Sequence, residues 1–382
     1  MAISASEPAR GIAFLPGLLP PTLSLEPSVW SLAEEASFAL GNLNGLGSRL
    51  PSPTLLARPF VRKEALASSR IEGTRAEYEQ LVLFEAETDS RDTDSDVREV
   101  ANHVRATSMA WASDSGFPIL SRSGIAALHK ELLEGVRGEY ANPGDIRSSY
   151  VMIGQPGDTL ATARFVPCPP HEIVGRLDNL LRNLQKPEGT VPLLVQLAIS
   201  HYQFEVIHPF NDGNGRVGRM LIPLILKEWG RLDTPILYLS EYLEQHRDEY
   251  IDSLYRISTH GAWQDWIVFF LRAVLIQAED AWRRGSDLLD LREELRAKYQ
   301  QPRMARALLL IDSLFERPSL TYGQAREITG LSTPAANSLV RQLVEDGLLF
   351  EATGRQRNQI FYAPTIARAS MGDVVSDENL ET

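Results

Sequence analysis

Cysteine is nearly missing from this chain of 382 residues. The single one, Cys168, can form no intramolecular disulfide, which points to a reducing compartment. Long hydrophobic runs are missing as well: the stretches around Met220–Leu226 and Ala307–Ile311 fall far short of the roughly 20 residues that cross a bilayer. No basic segment followed by a continuous apolar run opens the chain. Pro16-Gly17-Leu18-Leu19-Pro20-Pro21 breaks helices there instead, so no secretory leader is expected. Nor is positive charge in excess, since 38 Lys and Arg against 50 Asp and Glu leave a net −12, which argues against broad non-specific affinity for nucleic acid. What remains is a globular composition, 43% hydrophobic and 23% charged, long enough for two or three domains and expected in the cytoplasm.

Most of the chain reads as helix. Apolar residues recur at helical spacing over Ser28–Leu43, Pro59–Glu72, Ala76–Glu87, Asp96–Asp114 and Ser123–Leu133, and again over Pro170–Leu184, Val191–Glu205, Asn214–Trp229, Glu241–His260 and Ala262–Lys298. Leu193, Leu197, Leu221, Leu224 and Trp266 are the expected core. Residues 1–27, rich in Pro and Ser, should be extended, and the acidic Glu85–Asp96 a solvated loop. From Gln301 the character changes. Helices are expected over Arg303–Phe315 and Tyr322–Thr329, and a third opens at Thr333-Pro334 and stops at Gly347. Two short strands around a Gly-containing tip follow, so this part resembles a winged helix-turn-helix. Read as a DNA binder, it would place Ser338, Arg341 and Gln342 in a major groove and Arg355 and Arg357 on phosphates. Eight arginines against six acids over residues 301–370 support that only weakly. Dimerisation or protein docking is the competing use.

The densest chemistry lies in His208-Pro209-Phe210-Asn211-Asp212-Gly213-Asn214-Gly215-Arg216-Val217-Gly218-Arg219. Gly213 and Gly215 permit backbone conformations closed to other residues, so successive N–H groups can turn inward around an anion. They stand at the N-terminus of an apolar helix, where free N–H groups and the helix dipole favour phosphate. Arg216 and Arg219 are three apart and can present planar donor forks to anionic oxygens. Asp212 is a hard oxygen ligand suited to Mg²⁺, and His208 titrates where a general base is useful. Together these residues ask for a nucleotide.

The run resembles the signature of the Fic (Fido) family, HPFx(D/E)GNGRxxR, at every fixed position. The resemblance implies a nucleotidyl transfer in which AMP passes from ATP, with Mg²⁺, to a Ser, Thr or Tyr hydroxyl of a target protein, releasing pyrophosphate. His208 would take the proton from the attacking hydroxyl and Asp212 would hold Mg²⁺. Gly213, Asn214 and Gly215 would cradle the phosphates, and Val217 and Gly218 of the same run would belong to the nucleotide-binding stretch. Arg216 would pair with the triphosphate and Arg219 would grip the γ-phosphate. Members that transfer UMP, phosphocholine or phosphate share this scaffold, so the choice of ATP rests on the resemblance alone.

Upstream, Ser68-Ser69-Arg70-Ile71-Glu72-Gly73 is similar to the family's inhibitory pattern (S/T)xxxE(G/N), carried on a helix in one subclass. The preceding Arg62–Ala67 are strong helix formers and Gly73 a natural stop. The resemblance implies a salt bridge from Glu72 to Arg219 that denies this arginine to the γ-phosphate. In some members the same glutamate helps remove AMP, and both directions stay open here. Gly144–Gly154 alternates in β fashion and resembles the family's flap, a hairpin holding a target segment by strand addition, with Val151, Met152, Ile153 and Gly154 nearest the nucleotide. Tyr250 is loosely similar to family residues near the adenine and ribose.

The expected fold is therefore mainly α: a helical Fic core with a β-hairpin flap and a small C-terminal winged helix-turn-helix. The expected limits are 1–115 for an N-terminal helical region carrying the inhibitory helix (about 59–73), 116–298 for the catalytic core, 301–366 for the winged helix and 367–382 for a disordered acidic tail. ATP and an unidentified target protein are the expected partners, with a homodimer and DNA through the winged helix left open, and no membrane. A DNA-binding regulator whose core senses nucleotide is the alternative to the enzyme; the intact His208 favours the enzyme.

Overall fold

A computed structural model describes residues 13–47, 54–87, 94–112, 118–136, 142–185, 191–301 and 304–371. The expectations for residues 1–12, for 88–93 of the acidic stretch and for 372–382 of the tail lie outside the described residues. Helices dominate, in the order α1 (Pro27–Gly47), α2 (Thr54–Ile71), α3 (Tyr78–Ala86), α4 (Ser95–Ala112), α5 (Arg122–Leu132), α6 (Ile173–Gln185), α7 (Leu193–Ile207), α8 (Asn214–Glu228), α9 (Ser240–Gln245), α10 (Arg247–His260) and α11 (Trp263–Lys298). Among the described residues no helix is long and apolar enough to cross a membrane.

α7 carries apolar residues on every side, and that dictates its place: Leu194, Leu197, Ala198, Tyr202 and Phe204 are all buried at the centre of the molecule. α6, α8 and α11 pack around it, and α1 lies along α11. Trp266 of α11 closes the centre, fully buried, with its indole N–H donating to the Ala198 carbonyl (2.9 Å). α2 packs against α4 and α9, with its C-terminal end directed at the first turns of α8. Ahead of α1, residues 13–26 wrap the core, tied down by Phe14 N–H to the Val166 carbonyl (2.8 Å) and Gln203 to the Gly17 carbonyl (2.8 Å).

C-terminal to α11 come α12 (Ala305–Glu316), β1 (Ser319–Thr321), α13 (Tyr322–Thr329), α14 (Thr333–Glu345), β2 (Phe350–Glu351), β3 (Ile360–Tyr362) and α15 (Pro364–Met371). The three strands form one antiparallel sheet in the order β1-β3-β2. Ser338, Arg341 and Gln342 are exposed on α14, whereas Arg355 is paired with Glu87 at 3.0 Å. This module is no separate body. Leu310, Leu314, Phe315 and Ile366 belong to the same hydrophobic cluster as α1, α7 and α11, and Tyr362 and Ala367 pack with Ala65 and Leu66 of α2. At that junction Arg62 of α2 is 1% exposed. It donates to Glu85 from Nε and Nη2 (2.9 and 2.7 Å) and to the Glu316 carbonyl, the last of α12, from Nη1 (2.7 Å).

Several expectations change. α2 begins five residues before Pro59, which falls in its second turn and removes only one helical hydrogen bond. The helix expected over Glu241–His260 is broken at His246 (φ −114°, ψ 37°) into α9 and α10. The flap is not a hairpin with a ladder: residues 144–152 form no strand, and one bridge, Ile153 with Phe165, joins its two arms. Both arms spend backbone donors on the core instead, Arg147 N–H on the Pro209 carbonyl (2.9 Å) and Cys168 N–H on the Val206 carbonyl (3.1 Å). Residues 367–371, assigned to the tail, complete α15 instead, because Ala367 and Ser370 are buried.

Removing one partner of a buried ion pair leaves the other charge uncompensated, at a cost of about 3–5 kcal/mol. Arg62→Ala should therefore lower the stability of the whole chain by about that amount in denaturant unfolding. Loss of α12–α15 alone, with the rest unfolding at the wild-type midpoint, would contradict the shared core.

Candidate active site

Five elements meet at a pocket of about 360 Å³ lined by Glu72, Met152, Ile153, Gly154, Glu205, His208, Gly215, Arg219, Arg247 and Tyr250 among others. Its floor is the junction of α7 and α8. His208 ends α7 in the left-handed region (φ 50°, ψ 63°), a conformation that disfavours any residue with a Cβ by about 1–2 kcal/mol. Such strain persists only where neighbouring contacts enforce it. Here the His208 N–H donates to the Phe204 carbonyl (3.0 Å), and the His208 carbonyl accepts from Arg147 Nε (2.7 Å). The imidazole Nδ1 lies 3.2 Å from the Glu205 carbonyl, which can only accept, so Nδ1 carries the proton and Nε2 keeps its lone pair. Burial pushes this imidazole down to about 4, against the pull of the Glu205 carbonyl, so it is neutral near pH 7.

The loop between α7 and α8 is held by its own side chains. Asn214, 2% exposed, accepts from the Phe210 N–H and donates to the Phe210 carbonyl (2.9 Å each), which closes the turn and spends the amide inside the loop rather than in the pocket. Gly213 takes φ 74° at the start of α8. Beneath it His129 of α5 stacks on Phe210 at 3.8 Å. Its Nδ1 accepts from the Gly144 N–H (2.8 Å), so Nε2 donates to the Asp212 carbonyl (2.9 Å). Asp212 itself is 48% exposed, with Oδ1 accepting from the Gly213 N–H at 2.6 Å. One exposed carboxylate beside the free N–H groups of a helix start suits Mg²⁺ carried in with phosphates and waters. Among the described residues no group of three or more His, Cys, Asp or Glu could hold a metal by itself.

Arg219 is 2% exposed and is held chiefly by the end of α2 and the residue after it. It donates from Nε to Ser68 Oγ (2.9 Å) and from Nη2 to the Ser68 carbonyl (2.9 Å) and Glu72 Oε1 (2.8 Å). Glu72 follows the last residue of α2, at a helix end whose dipole disfavours an anion by about 0.3–1 kcal/mol, so the arginine holds it there. Burial alone would raise the Glu72 carboxyl; Arg219 overrides it and holds the group below its ordinary range. A Cβ on Gly215 would stand 2.5 Å from Glu72 Oε1 and 2.8 Å from Arg219 Nη1. Glycine is thus needed there to let the pair close.

Some expected residues lie elsewhere. Arg216 does not line this pocket: it is 3% exposed and lies between the buried Glu99 of α4 (3.2 Å) and Asp212 (3.8 Å), so it stays beside the candidate metal ligand. Val217 is core, and Gly218 makes room for the Glu205 carboxylate. Val151 stands outside the lining while Met152, Ile153 and Gly154 form its rim. Tyr250 does form a wall, but its hydroxyl donates to His201 Nε2 (2.8 Å), because the His201 Nδ1–H is turned to the Gly218 carbonyl (3.3 Å). Sequence reasoning missed His129, His201 and Glu205, and it gave no individual role to Ser68 or Arg147, which it met only inside the 68–73 and 144–154 runs. Of these only Glu205, one helical turn ahead of His208, could have been singled out by spacing.

Two family models match the chain, the Fic/DOC family N-terminal model over residues 30–112 and the Fic/DOC family model over 119–226, together about half of it. The chain is 29% identical over 194 residues to a probable protein adenylyltransferase of Aquifex aeolicus, an alignment covering 50% of this chain and 55% of that protein. It is 30% identical over 112 residues to the protein adenylyltransferase fic-1 of Caenorhabditis elegans, covering 29% of this chain and 20% of that one. The chain thus spans about half the length of the first of these relatives and a fifth of the second. Its backbone matches a Fic family protein from Desulfovibrio desulfuricans with a TM-score of 0.58 at 21% identity, over 90% of this chain and 98% of that one. Fic-1 from C. elegans matches with a TM-score of 0.50 at 21% identity, over 69% and 75%. At such identity the structural likeness speaks for the fold.

Glu205 supplies a pH signature. Burial, with Glu72 adding to it and Arg219 opposing, pushes its carboxyl up to about 7 from an ordinary 4.5. Between those values the folded chain binds the proton more tightly than the unfolded one, so ionisation opposes folding and stability falls as pH rises. The buried His129 and His208, pushed down to about 4, act with the opposite sign below about 6.5. The readout is therefore a difference: Glu205→Gln should gain stability over wild type progressively from pH 4.5 to 7. A constant offset across that range in thermal unfolding would contradict the assignment.

Proposed function

The chain belongs to the Fic/DOC family, and from that premise we propose that it is a self-inhibited protein adenylyltransferase, moving AMP from ATP to a hydroxyl of a target protein or of itself. Adenylyl transfer is the activity named for its relatives in Aquifex aeolicus and C. elegans. The observation that carries the proposal is the 2.8 Å bond from Arg219 to Glu72, in the same pocket as a neutral His208 with a free Nε2.

In this reading His208 Nε2 accepts the proton of the attacking hydroxyl. Its oxygen then bonds to the α-phosphorus while the bond to pyrophosphate breaks. Transfers of this kind need positioning and charge neutralisation more than covalent help. The first-turn N–H groups of α8 would supply part of that neutralisation. Asp212 would hold Mg²⁺, whose chemistry is to offset charge on the phosphate oxygens. Arg219 would hold the γ-phosphate once Glu72 has left. While Glu72 stays, the guanidinium is taken and a second negative charge occupies the position the phosphate needs, so ATP is held in a pose unfit for in-line attack. Residues 304–371 we read as a winged helix, on the order of their elements and the β1-β3-β2 sheet.

ATP labelled on its α-phosphate tests the proposal, with wild type, Glu72→Gly and Glu72→Gly/His208→Ala compared as folded proteins. Label on protein should rise at least about tenfold in Glu72→Gly, equivalent to about 1.4 kcal/mol, and vanish in the double variant. Equal labelling of wild type and Glu72→Gly would reject self-inhibition, and retained label in the double variant would reject His208 as base.

A further inference from the structure

We infer that Arg147 is a positioning residue for His208, the joint that fixes the base and the flap in one geometry. This rests on the reading of His208 as the base. Arg147 is 3% exposed, and among the described residues no carboxylate pairs with it. Every hydrogen-bond acceptor of its guanidinium is a backbone carbonyl. Nε donates to His208 (2.7 Å), Nη1 to Ser149 (2.8 Å) and Nη2 to Cys168 (2.6 Å) and Ile207 (3.3 Å). Its own N–H adds a bond to the Pro209 carbonyl (2.9 Å).

Burying a cation without a counter-charge is expensive, and burial lowers this guanidinium to about 10. Simple capping of α7 does not require that. An exposed lysine at the helix end could satisfy its last carbonyls. What a lysine cannot do is hold three segments at once, since only the planar fork presents fixed donors in several directions. The three segments are the end of α7 with His208, the flap root at Ser149, and residues 165–168, whose Phe165 forms the single bridge to Ile153. The acceptors at 207 and 208 flank the left-handed turn of His208, and Pro209 follows it. Arg147 thus enforces the one conformation that sends Nδ1 to the Glu205 carbonyl and leaves Nε2 for substrate. It lines no part of the pocket itself.

A residue of this kind should act on turnover and spare nucleotide binding, because a displacement of about 1 Å in a reacting group can cost about 100-fold in rate. Arg147→Lys keeps the charge and loses the fork; Arg147→Gln loses both. In the Glu72→Gly background, Arg147→Lys should lower kcat about 10- to 100-fold while the ATP dissociation constant, from calorimetry, stays within about twofold. A second readout needs no turnover: in ¹⁵N-detected spectra of His208, the Nδ1–H tautomer of the parent should give way to exchange between tautomers in the folded Lys variant. Unchanged kcat with an unchanged His208 spectrum would overturn the inference, as would a loss of ATP affinity matching the loss of kcat. If the Glu72→Gly parent itself transfers nothing, the adenylyltransferase reading fails, while the His208 spectrum still decides the role of Arg147.

Discussion

Everything around the pocket turns on one buried guanidinium. Arg219 has lost its water, and its charge is compensated by Glu72 at 2.8 Å, by the two oxygens of Ser68 at 2.9 Å each, and, once ionised above about pH 7, by Glu205 at longer range. A buried cation must be paired, so the site has only a small set of stable states. Either a carboxylate of this chain holds Arg219, or an anion of comparable charge replaces it. Glu72 is suited to be the replaceable partner. It is 39% exposed on the pocket side and stands at the end of α2 rather than within it. Glu205, on the central helix α7, cannot leave. An exchange of this kind costs little only because the incoming group is itself an anion.

The helix that delivers Glu72 is held from behind. Arg62, one face of α2 and the residues Tyr362 and Ala367 of the C-terminal module form a continuous buried contact. Glu64 extends the same polar stripe, four residues before Ser68 and eight before Glu72, and accepts from the Ser240 N–H (3.0 Å) and hydroxyl at the start of α9. α2 is thus fixed along its length and ends in a turn at Gly73 (φ 95°), where the Glu72 N–H donates to the Ser69 carbonyl (3.0 Å) and the Gly73 N–H to the Arg70 carbonyl (2.9 Å). On the proposed reading, release of Glu72 needs only its side chain to leave Arg219, with the helix behind it staying in place.

The signature at 208–219 and the pattern at 68–73 were legible because a few residue types at fixed spacing have few alternative uses. The helices were legible from periodicity, and the bond between Glu72 and Arg219 was anticipated as what the resemblance implies. Other features were out of reach for definite reasons. That Arg216 also pairs with Glu99 could not be read, since nothing local reveals a partner 117 residues away. The flap read as a hairpin because alternation does not show that Arg147 spends its N–H across the fold. His129, His201 and Arg147 each hold backbone from distant segments, and no spacing rule encodes such contacts. The second half of the last helix, residues 367–371, is not legible as helix because its burial depends on α2 and α11, not on its own composition.

The central claim is that Glu72 stands where a γ-phosphate must bind. The most direct test is calorimetric binding of ATP and ADP to wild type and to Glu72→Gly. The account predicts that wild type distinguishes the two by no more than about twofold, whereas Glu72→Gly prefers ATP by about tenfold or more, since a charge-assisted bond is worth about 1.5–3 kcal/mol. The same ratio in both proteins would show that Glu72 leaves the γ-phosphate site untouched, and would contradict the account.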